Sequence, residues 1–525
     1  MPIFDPVSQQ NIETLASIVT IAVALIAAVA YFSRKYSQRT KNQHNESEQK
    51  ERPSVLPTGP AAPTIINPLN EDLLKGRNVT LIEDIKEVKK RLKTNSDPLL
   101  EGNLSLLEGE AHVNRGERKG LELLQRTIQR VGSTPTVEEG HQLYKEAILG
   151  RAHNDIGYYY RSFSNYHAAI QEYLLALPHL QRSHNKVSYA ETLRNLAYAY
   201  SLQGRLAIAE LLCQYSLELS TKFGDQRGSG LTNNTLGLIY TWKGQHHLSQ
   251  LKCEGALALF DSLKDERNVG LVCTALGYNF RLLANTNAYP LDKAAEYLQY
   301  SERSLKRSKD IFSTRVSEPI RLAQAFNELG CTYRDWAKLY RQIEGNRIER
   351  ERLEKQAQEQ LESALDVAGS QQWTVGQLDT LEDLAELKYA EGNDDEAINL
   401  LHEAEKPLAE YRILKGAGSP KLSNPITEYW AIFGKTNLLR GHIAFGKRQK
   451  RTAAEYYLLA NAYLNLYAPS SKLIDYAISA IYKRVQTLTD EELASWYHYL
   501  DGFQKEYELE NTQLTDIIRD MMGIL

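Results

Sequence analysis

Four short segments of this 525-residue chain repeat one another: NDIGYYY (154–160), RNLAYAY (194–200), NTLGLIY (234–240) and TALGYNF (274–280). Each segment has a small residue at its centre, and the four centres, Gly157, Ala197, Gly237 and Gly277, follow one another at intervals of 40 residues. Three more centres follow at longer intervals: Gly330, Ala385 and Gly441. We call these seven positions the repeat centres. A fixed period of this length is the sequence signature of a repeat architecture.

The residues after each repeat centre predict a helical hairpin. An aromatic residue stands three positions after the first five centres, and a second small residue stands twelve positions after most of them, as Ala169 does after Gly157. A bulkier residue follows four positions later: Tyr173, Cys213, Cys253, Leu401 and Tyr457. Two antiparallel helices can approach closely where both carry small residues. One hairpin cannot bury its apolar face alone, so neighbouring hairpins must stack on one another.

These motifs resemble the tetratricopeptide repeat, whose Leu-Gly-x-x-Tyr…Ala-x-x-x-Phe…Ala signature they follow. The resemblance implies an all-α fold, a TPR α-solenoid that forms a right-handed superhelix of helical hairpins. The spacing looks like the longer-helix variety found in kinesin light chains, polarity adaptors and the sensor regions of bacterial regulators. We assign the repeats to 151–465, N-terminal helices or a degenerate repeat to 71–150, and capping helices to 466–525. The fourth unit has a degenerate second helix, and the fifth carries a charged insertion that lengthens both of its helices.

The N-terminal region predicts a membrane anchor. Residues 14–33 contain no charge and include IVTIAVALIAAVAYF, which is long enough for one bilayer span of about 30 Å. Basic residues follow this segment, so the short N-terminal segment 1–13 is expected outside and the repeats in the cytosol. Residues 34–70 are basic and then proline-rich, and they predict a linker. A cleaved signal peptide and a buried helix remain as alternatives for 14–33.

Composition and motifs argue against two classes of function. The chain has 62 basic and 66 acidic residues, a net charge of -4, which is unlike a strongly basic nucleic-acid binder. It has no phosphate-binding loop, dinucleotide fingerprint, zinc-protease motif or nucleophile elbow. We therefore expect no enzyme, no cofactor, no metal and no nucleic-acid partner. Cys213 and Cys253 are expected to be reduced core thiols, because both occupy the same buried repeat position.

In a superhelix of this type, the first helix of each hairpin lines the concave face. The resemblance places candidate binding residues on it at fixed offsets from the repeat centres. They are Arg151, Asn154, Tyr158, Arg161, Arg194, Tyr198, Asn234, Tyr278, Arg281, Asn327 and Arg334. Asn amides suit an extended peptide backbone, Arg suits carboxylates, and Tyr offers an apolar ring with a polar tip. The alternative is that the Asn residues join neighbouring helices and bind no ligand.

The sequence as a whole predicts a scaffold or adaptor tethered to the cytosolic face of a membrane. Its partner would be a protein, bound as a peptide or a helix in the concave groove. Three alternatives stay open: a structural component that associates with itself, a regulator that senses a peptide or small effector, and an envelope or translocation assembly factor of opposite topology.

Overall fold

The computed structural model describes residues 62–92, 97–286, 288–342, 346–422, 426–467, 472–509 and 513–521. This part of the chain is almost entirely helical, and its only strand-like pairing is an isolated bridge between Leu414 and Gly418. The helices, in chain order, are α1 (Ala62–Leu74), α2 (Asn78–Arg91), α3 (Pro98–Asn114), α4 (Arg118–Ser133), α5 (Glu139–Ser162), α6 (Tyr166–Arg182), α7 (Lys186–Leu202), α8 (Leu206–Lys222), α9 (Gln226–Trp242), α10 (His246–Ser262), α11 (Glu266–Ala284), α12 (Leu291–Thr314), α13 (Pro319–Tyr340), α14 (Arg347–Ser370), α15 (Thr374–Glu391), α16 (Asp394–Glu405), α17 (Thr427–Gly446), α18 (Lys450–Tyr467), α19 (Lys472–Val485), α20 (Asp490–Glu506) and α21 (Gln513–Met521).

The helices from α3 to α18 form antiparallel hairpins, each of an odd-numbered first helix and the following even-numbered second helix. Successive first helices, from α3 to α17, also pack side by side. The prediction of an all-α solenoid of helical hairpins is confirmed by this arrangement. Each hairpin buries its apolar face against its neighbours, so the core runs along the stack and is not concentrated at one centre.

The 40-residue period has a simple local origin. Helices α6 to α10 are each 17 residues long, and turns of three residues separate them. The middle residue of such a turn has a left-handed backbone, as in Gly204 (φ 75°) and Gly224 (φ 69°). Asn165 and Asn185 cap the helices that follow, because each side-chain oxygen accepts a backbone N–H of the first turn. Local turn chemistry therefore sets the length of the repeat.

The repeat centres lie where the two helices of a hairpin approach most closely. A Cβ atom added to Gly157 would lie 2.6 Å from Cε1 of Tyr173, and one added to Gly330 would lie 2.6 Å from Cγ of Leu361. Gly237 faces Cys253 in the same way. These contacts confirm the predicted pairing between a small centre and a bulkier residue on the second helix.

The hairpins of the fourth and fifth repeat centres, α11–α12 and α13–α14, are longer than the others. In the fourth, α12 has 24 residues and Leu305 packs on Gly277. The second helix predicted to be degenerate is therefore regular, and only its distance from the repeat centre has changed. In the fifth, α13 has 22 residues and α14 has 24, which confirms that the charged insertion lengthens both helices. The first repeat helix, α5, begins at Glu139, before the predicted boundary at residue 151.

Residues 62–70 correct the predicted linker, because they belong to helix α1. Ile66, Leu69 and Leu73 recur along one face of α1, and all three are buried against α2 and α3. Pro68 lies inside this helix. An interior proline costs about 3 kcal/mol in a helix, but burial of three large apolar side chains offsets a loss of that size.

The predicted membrane localisation is also corrected. Among the residues that the structure describes, no helix combines the length and apolar character needed to cross a bilayer. The single-pass arrangement, with the N-terminus outside and the repeats in the cytosol, is therefore wrong. The predicted segment 1–13, the predicted span 14–33 and the first part of the predicted linker lie outside the described residues.

Candidate binding face on the first helices

The first helices face one another through their polar side chains, and we call this side of the stack the inner face. Arg321 on α13 donates a hydrogen bond of 3.0 Å to the hydroxyl of Tyr158 on α5, 163 residues away in the sequence. Arg267 on α11 forms an ion pair with Glu318, just before α13. Because α5 and α13 belong to hairpins that are four positions apart, the contact between Tyr158 and Arg321 joins distant parts of the repeat across the inner face.

On α5 and α7, the inner face combines charged and aromatic groups. Arg151 pairs with Glu110 of α3 at 3.2 Å, and Arg194 pairs with Glu191 at 3.4 Å. The guanidinium of Arg161 lies 4.7 Å from the ring centre of Tyr158 and 4.9 Å from that of Tyr198. Tyr198 in turn stacks on Trp242, with 6.0 Å between the ring centres. The structure thus brings together the predicted residues Arg151, Tyr158, Arg161, Arg194 and Tyr198.

Further along the stack, an ion-pair network covers the inner face of α11, α13, α15 and α17. Arg281 pairs with Glu328 and Asp335, Arg334 with Asp335, Asp383 and Glu386, and Lys435 with Asp379 and Glu382. Six carboxylates therefore share three cations, and we call this group the acidic network. Tyr278 borders it, because the guanidinium of Arg281 lies 5.5 Å from the centre of its ring.

The acidic network shifts the ionisation of its members in opposite directions. Burial, together with the charges of Asp383 and Glu386, raises the pKa of Glu382 to about 8 even though Lys435 is next to it. Burial also opposes the charge of Asp383, but Lys435 and Arg334 hold its pKa well below the usual range of an aspartate. The network is therefore short of positive charge at Glu382.

The three predicted Asn residues have partners inside the protein. The Asn154 side-chain oxygen accepts hydrogen bonds from Thr192 at 3.2 Å and from Asn195 at 3.0 Å. Asn234 accepts a long S–H contact of 3.9 Å from Cys253, and Asn327 donates to Asp383 at 3.0 Å. Each contact joins two helices of the stack, which is the arrangement of the alternative in which the Asn residues connect helices.

One set of inner-face residues was not predicted from the sequence. These residues lie two positions before a repeat centre. Five of the seven repeats have a polar residue there: Asp155, Asn195, Thr235, Glu328 and Asp383. On a helix, this position shares a face with residues four before and three after it, so it belongs beside Arg151 and Tyr158. The signal that could have found the set is a polar residue that recurs two positions before the repeat centre. In each case a large apolar residue, such as Ile156 or Leu196, lies between the two.

The remaining polar residues do not suggest a metal centre. Within the described ranges, no group of three or more His, Cys, Asp or Glu side chains is arranged to hold a metal ion. All four cysteines are buried and free. Burial raises the pKa of both Cys213 and Cys253 to about 12, so these thiols stay protonated, as expected for core residues.

No protein-family model and no curated protein sequence matches this chain. A crystal structure of a Rap protein complexed with competence and sporulation factor is 17% identical, has a TM-score of 0.40, and covers 67% of this chain and 99% of its own. The human IFIT1 dimer with m7Gppp-AAAA is 16% identical, with a TM-score of 0.44 and coverage of 86% and 89%. Aspartyl phosphate phosphatase F from Bacillus subtilis is 14% identical, with a TM-score of 0.35 and coverage of 68% and 96%. The chain is thus similar to these structures at low identity.

Proposed function

We propose that this chain is a tetratricopeptide-type repeat protein that binds a segment of another polypeptide on its inner face. It acts by binding and not by catalysis. The observation that carries this proposal is the inner face itself, where partly exposed aromatic rings and ion pairs lie on α5 and again on α11, α13 and α15. A peptide that extends along this surface would meet one set of polar and aromatic groups from every hairpin.

The ion pairs of the inner face support a recognition role better than a purely structural one. Buried pairs such as Arg334 with Asp383 lose much of their Coulomb energy to desolvation, and apolar residues of similar volume often stabilise a core as well or better. A ligand with its own charges, however, can exchange partners with such pairs. Partly exposed Tyr278 and Tyr198 add apolar contact area with a polar tip, as is common at protein interfaces.

The charge of the acidic network favours a polypeptide over a nucleic acid. Three more carboxylates than cations belong to the network, and a phosphate backbone would be repelled by this excess. We therefore propose a peptide or helical segment as the occupant, and no nucleic acid.

A regulatory mode is supported by the contact between Tyr158 and Arg321. A bound segment that competes for either side chain would break the link between hairpins four positions apart. The relative position of these hairpins would then depend on the ligand, which is how binding becomes a signal for another protein. A rigid adaptor would keep the link intact, so measuring the link after binding separates the two modes.

The test is a selection from a random heptapeptide library on the purified full chain, followed by titration of retained peptides into two variants. Tyr278→Ala removes a ring from the inner face, while Tyr482→Ala removes an exposed ring of α19 and serves as the matched control. We expect Tyr278→Ala to weaken binding by about tenfold or more and Tyr482→Ala to leave it unchanged. Circular dichroism is used to check that both variants fold. Equal loss in both variants, or retention of single-stranded RNA in place of peptides, would contradict the proposal.

A further inference from the structure

Asp155 is a buried carboxylate that lacks a cation of its own. It lies on α5, with only 6% of its surface exposed. One carboxylate oxygen accepts a hydrogen bond of 3.2 Å from the amide of Asn154. The other oxygen, Oδ2, is buried and has no hydrogen-bond partner. A buried charge in this state is costly, so its presence requires an explanation.

In the described part of the chain, Asp155 forms no ion pair with the cations near it. Glu110 is paired with Arg151, and Glu191 is paired with Arg194, so each of the two neighbouring cations already has a carboxylate. Burial and the charges of Glu110 and Glu191 raise the pKa of Asp155 well above its usual value. Arg267 also acts on Glu110, and Arg227 lies close enough to interact with Glu191, but these two cations are paired with Glu318 and Asp265.

Two more unpartnered polar atoms lie in the same region. The hydroxyl of Tyr173 has no hydrogen-bond partner, although the side chain is completely buried beneath Gly157. The Nε atom of Arg194 is likewise buried without a partner. The charges of both Asp155 and Arg194 influence the pKa of Tyr173, which places the three groups near one another. A carboxylate oxygen, a hydroxyl and an N–H group are therefore left to bind something else.

We propose that Asp155, with Glu110 and Glu191 beside it, forms a subsite for a cationic group of the bound polypeptide, a lysine or arginine side chain or the N-terminal ammonium. This subsite rests on the proposed function and specifies it further. The cation donates hydrogen bonds to Oδ2 of Asp155, the oxygen that has no partner in the protein.

The side chains around Asp155 reach the inner face. Arg151, Asp155 and Tyr158 occupy successive positions on one face of α5, and both Arg151 and Tyr158 are partly exposed. Glu191 is 49% exposed at its side chain and marks the solvent side of the cluster. Because Oδ2 of Asp155 is buried, a cationic side chain reaches it when the side chain of Glu191 moves aside, while the peptide backbone stays on the inner face.

The experiment uses two random heptapeptide libraries, one with free and one with acetylated N-termini, on the full-length protein. Retained peptides are sequenced by mass spectrometry for wild type, Asp155→Asn and the control Asp366→Asn, which changes an exposed carboxylate on α14. We expect wild type and the control to enrich lysine or arginine, and Asp155→Asn to lose this enrichment. Affinity for an enriched peptide should fall about tenfold or more in Asp155→Asn. Retention by wild type that needs a free N-terminus and shows no lysine or arginine enrichment would identify the N-terminal ammonium as the cation.

Glu191→Gln is a second variant that guards against misfolding, because its side chain is half exposed and can change without disturbing the core. It should reduce the same preference by a smaller factor. Retention of peptides with the same lysine and arginine content by wild type and Asp155→Asn would overturn the subsite, since water would then suffice for Oδ2, but it would leave the proposed function intact. Failure of wild type to retain any peptide would overturn both.

Discussion

Glu428 provides a quantitative test of how the distant parts of the repeat pack together. It is the second residue of α17, is 6% exposed, and has one carboxylate oxygen that is buried without a hydrogen-bond partner. Besides burial, its charge raises the pKa of Tyr467 on α18. The hydroxyl of Tyr467 donates a hydrogen bond of 2.8 Å to the carbonyl of Leu202 at the end of α7. Glu428 therefore lies near the place where α18 contacts the end of α7.

Burial raises the pKa of Glu428 from 4.5 to about 8. The folded chain therefore keeps a proton that the unfolded chain has lost between these two pH values. The free energy of unfolding falls as the pH rises through this window, by about 1.4 kcal/mol for each pH unit. Between pH 5 and pH 8 the penalty from Glu428 alone reaches about 3 kcal/mol. Below pH 4.5 this penalty is absent.

The perturbation is Glu428→Gln, which keeps the shape of the side chain and removes its titration. Urea unfolding followed by circular dichroism gives the free energy of unfolding of wild type and variant at about pH 5 and about pH 8. We expect the difference between the two proteins to move in favour of the variant by about 3 kcal/mol over that range. Glu362→Gln, at an exposed position on α14, is the control and should show no such change. A difference that is the same at both pH values would refute the burial of Glu428.

Three further predictions concern the repeat core and its end. Gly157→Ala should destabilise the chain by about 1–3 kcal/mol, measured by urea unfolding, because the new Cβ would press on the ring of Tyr173. Thr489→Ala should lower the thermal midpoint of unfolding, since it removes the capping box with Glu492 at the start of α20, worth about 1 kcal/mol. Cys253 should not react with a thiol reagent at pH 8 until denaturant is added, because it is fully buried and its pKa is raised to about 12.

The sequence predicted the hairpin repeat because the close approach of two helices demands a small residue at a fixed place. Gly157 and its partner Tyr173 illustrate this, since the contact lies within one hairpin and depends on local spacing. The fourth hairpin was misread for the same reason: extra residues in the connection after α11 and in the longer helix α12 moved the partner of Gly277 to Leu305. Fixed offsets cannot follow such an insertion, although the packing itself is unchanged.

Helix α1 was missed because its stability is tertiary. Pro68 and the neighbouring prolines argue against a helix, and only the burial of Ile66 and Leu69 against α2 and α3 reverses that local preference. The candidate site was likewise only partly predictable. The fixed offsets selected Tyr158 as a candidate, but its contact with Arg321 depends on how successive hairpins stack, which no local pattern records.

The central claim is that the inner face, and not the outer helices, holds the ligand. It is tested most directly by photo-crosslinking, with a photoreactive phenylalanine analogue at Tyr198 on the inner face or at Tyr300, an exposed residue of the second helix α12. Each protein is irradiated with the peptides retained from the heptapeptide library. We predict crosslinked peptide at position 198 and none at position 300. Crosslinking at position 300 alone, or equally at both positions, would contradict the account.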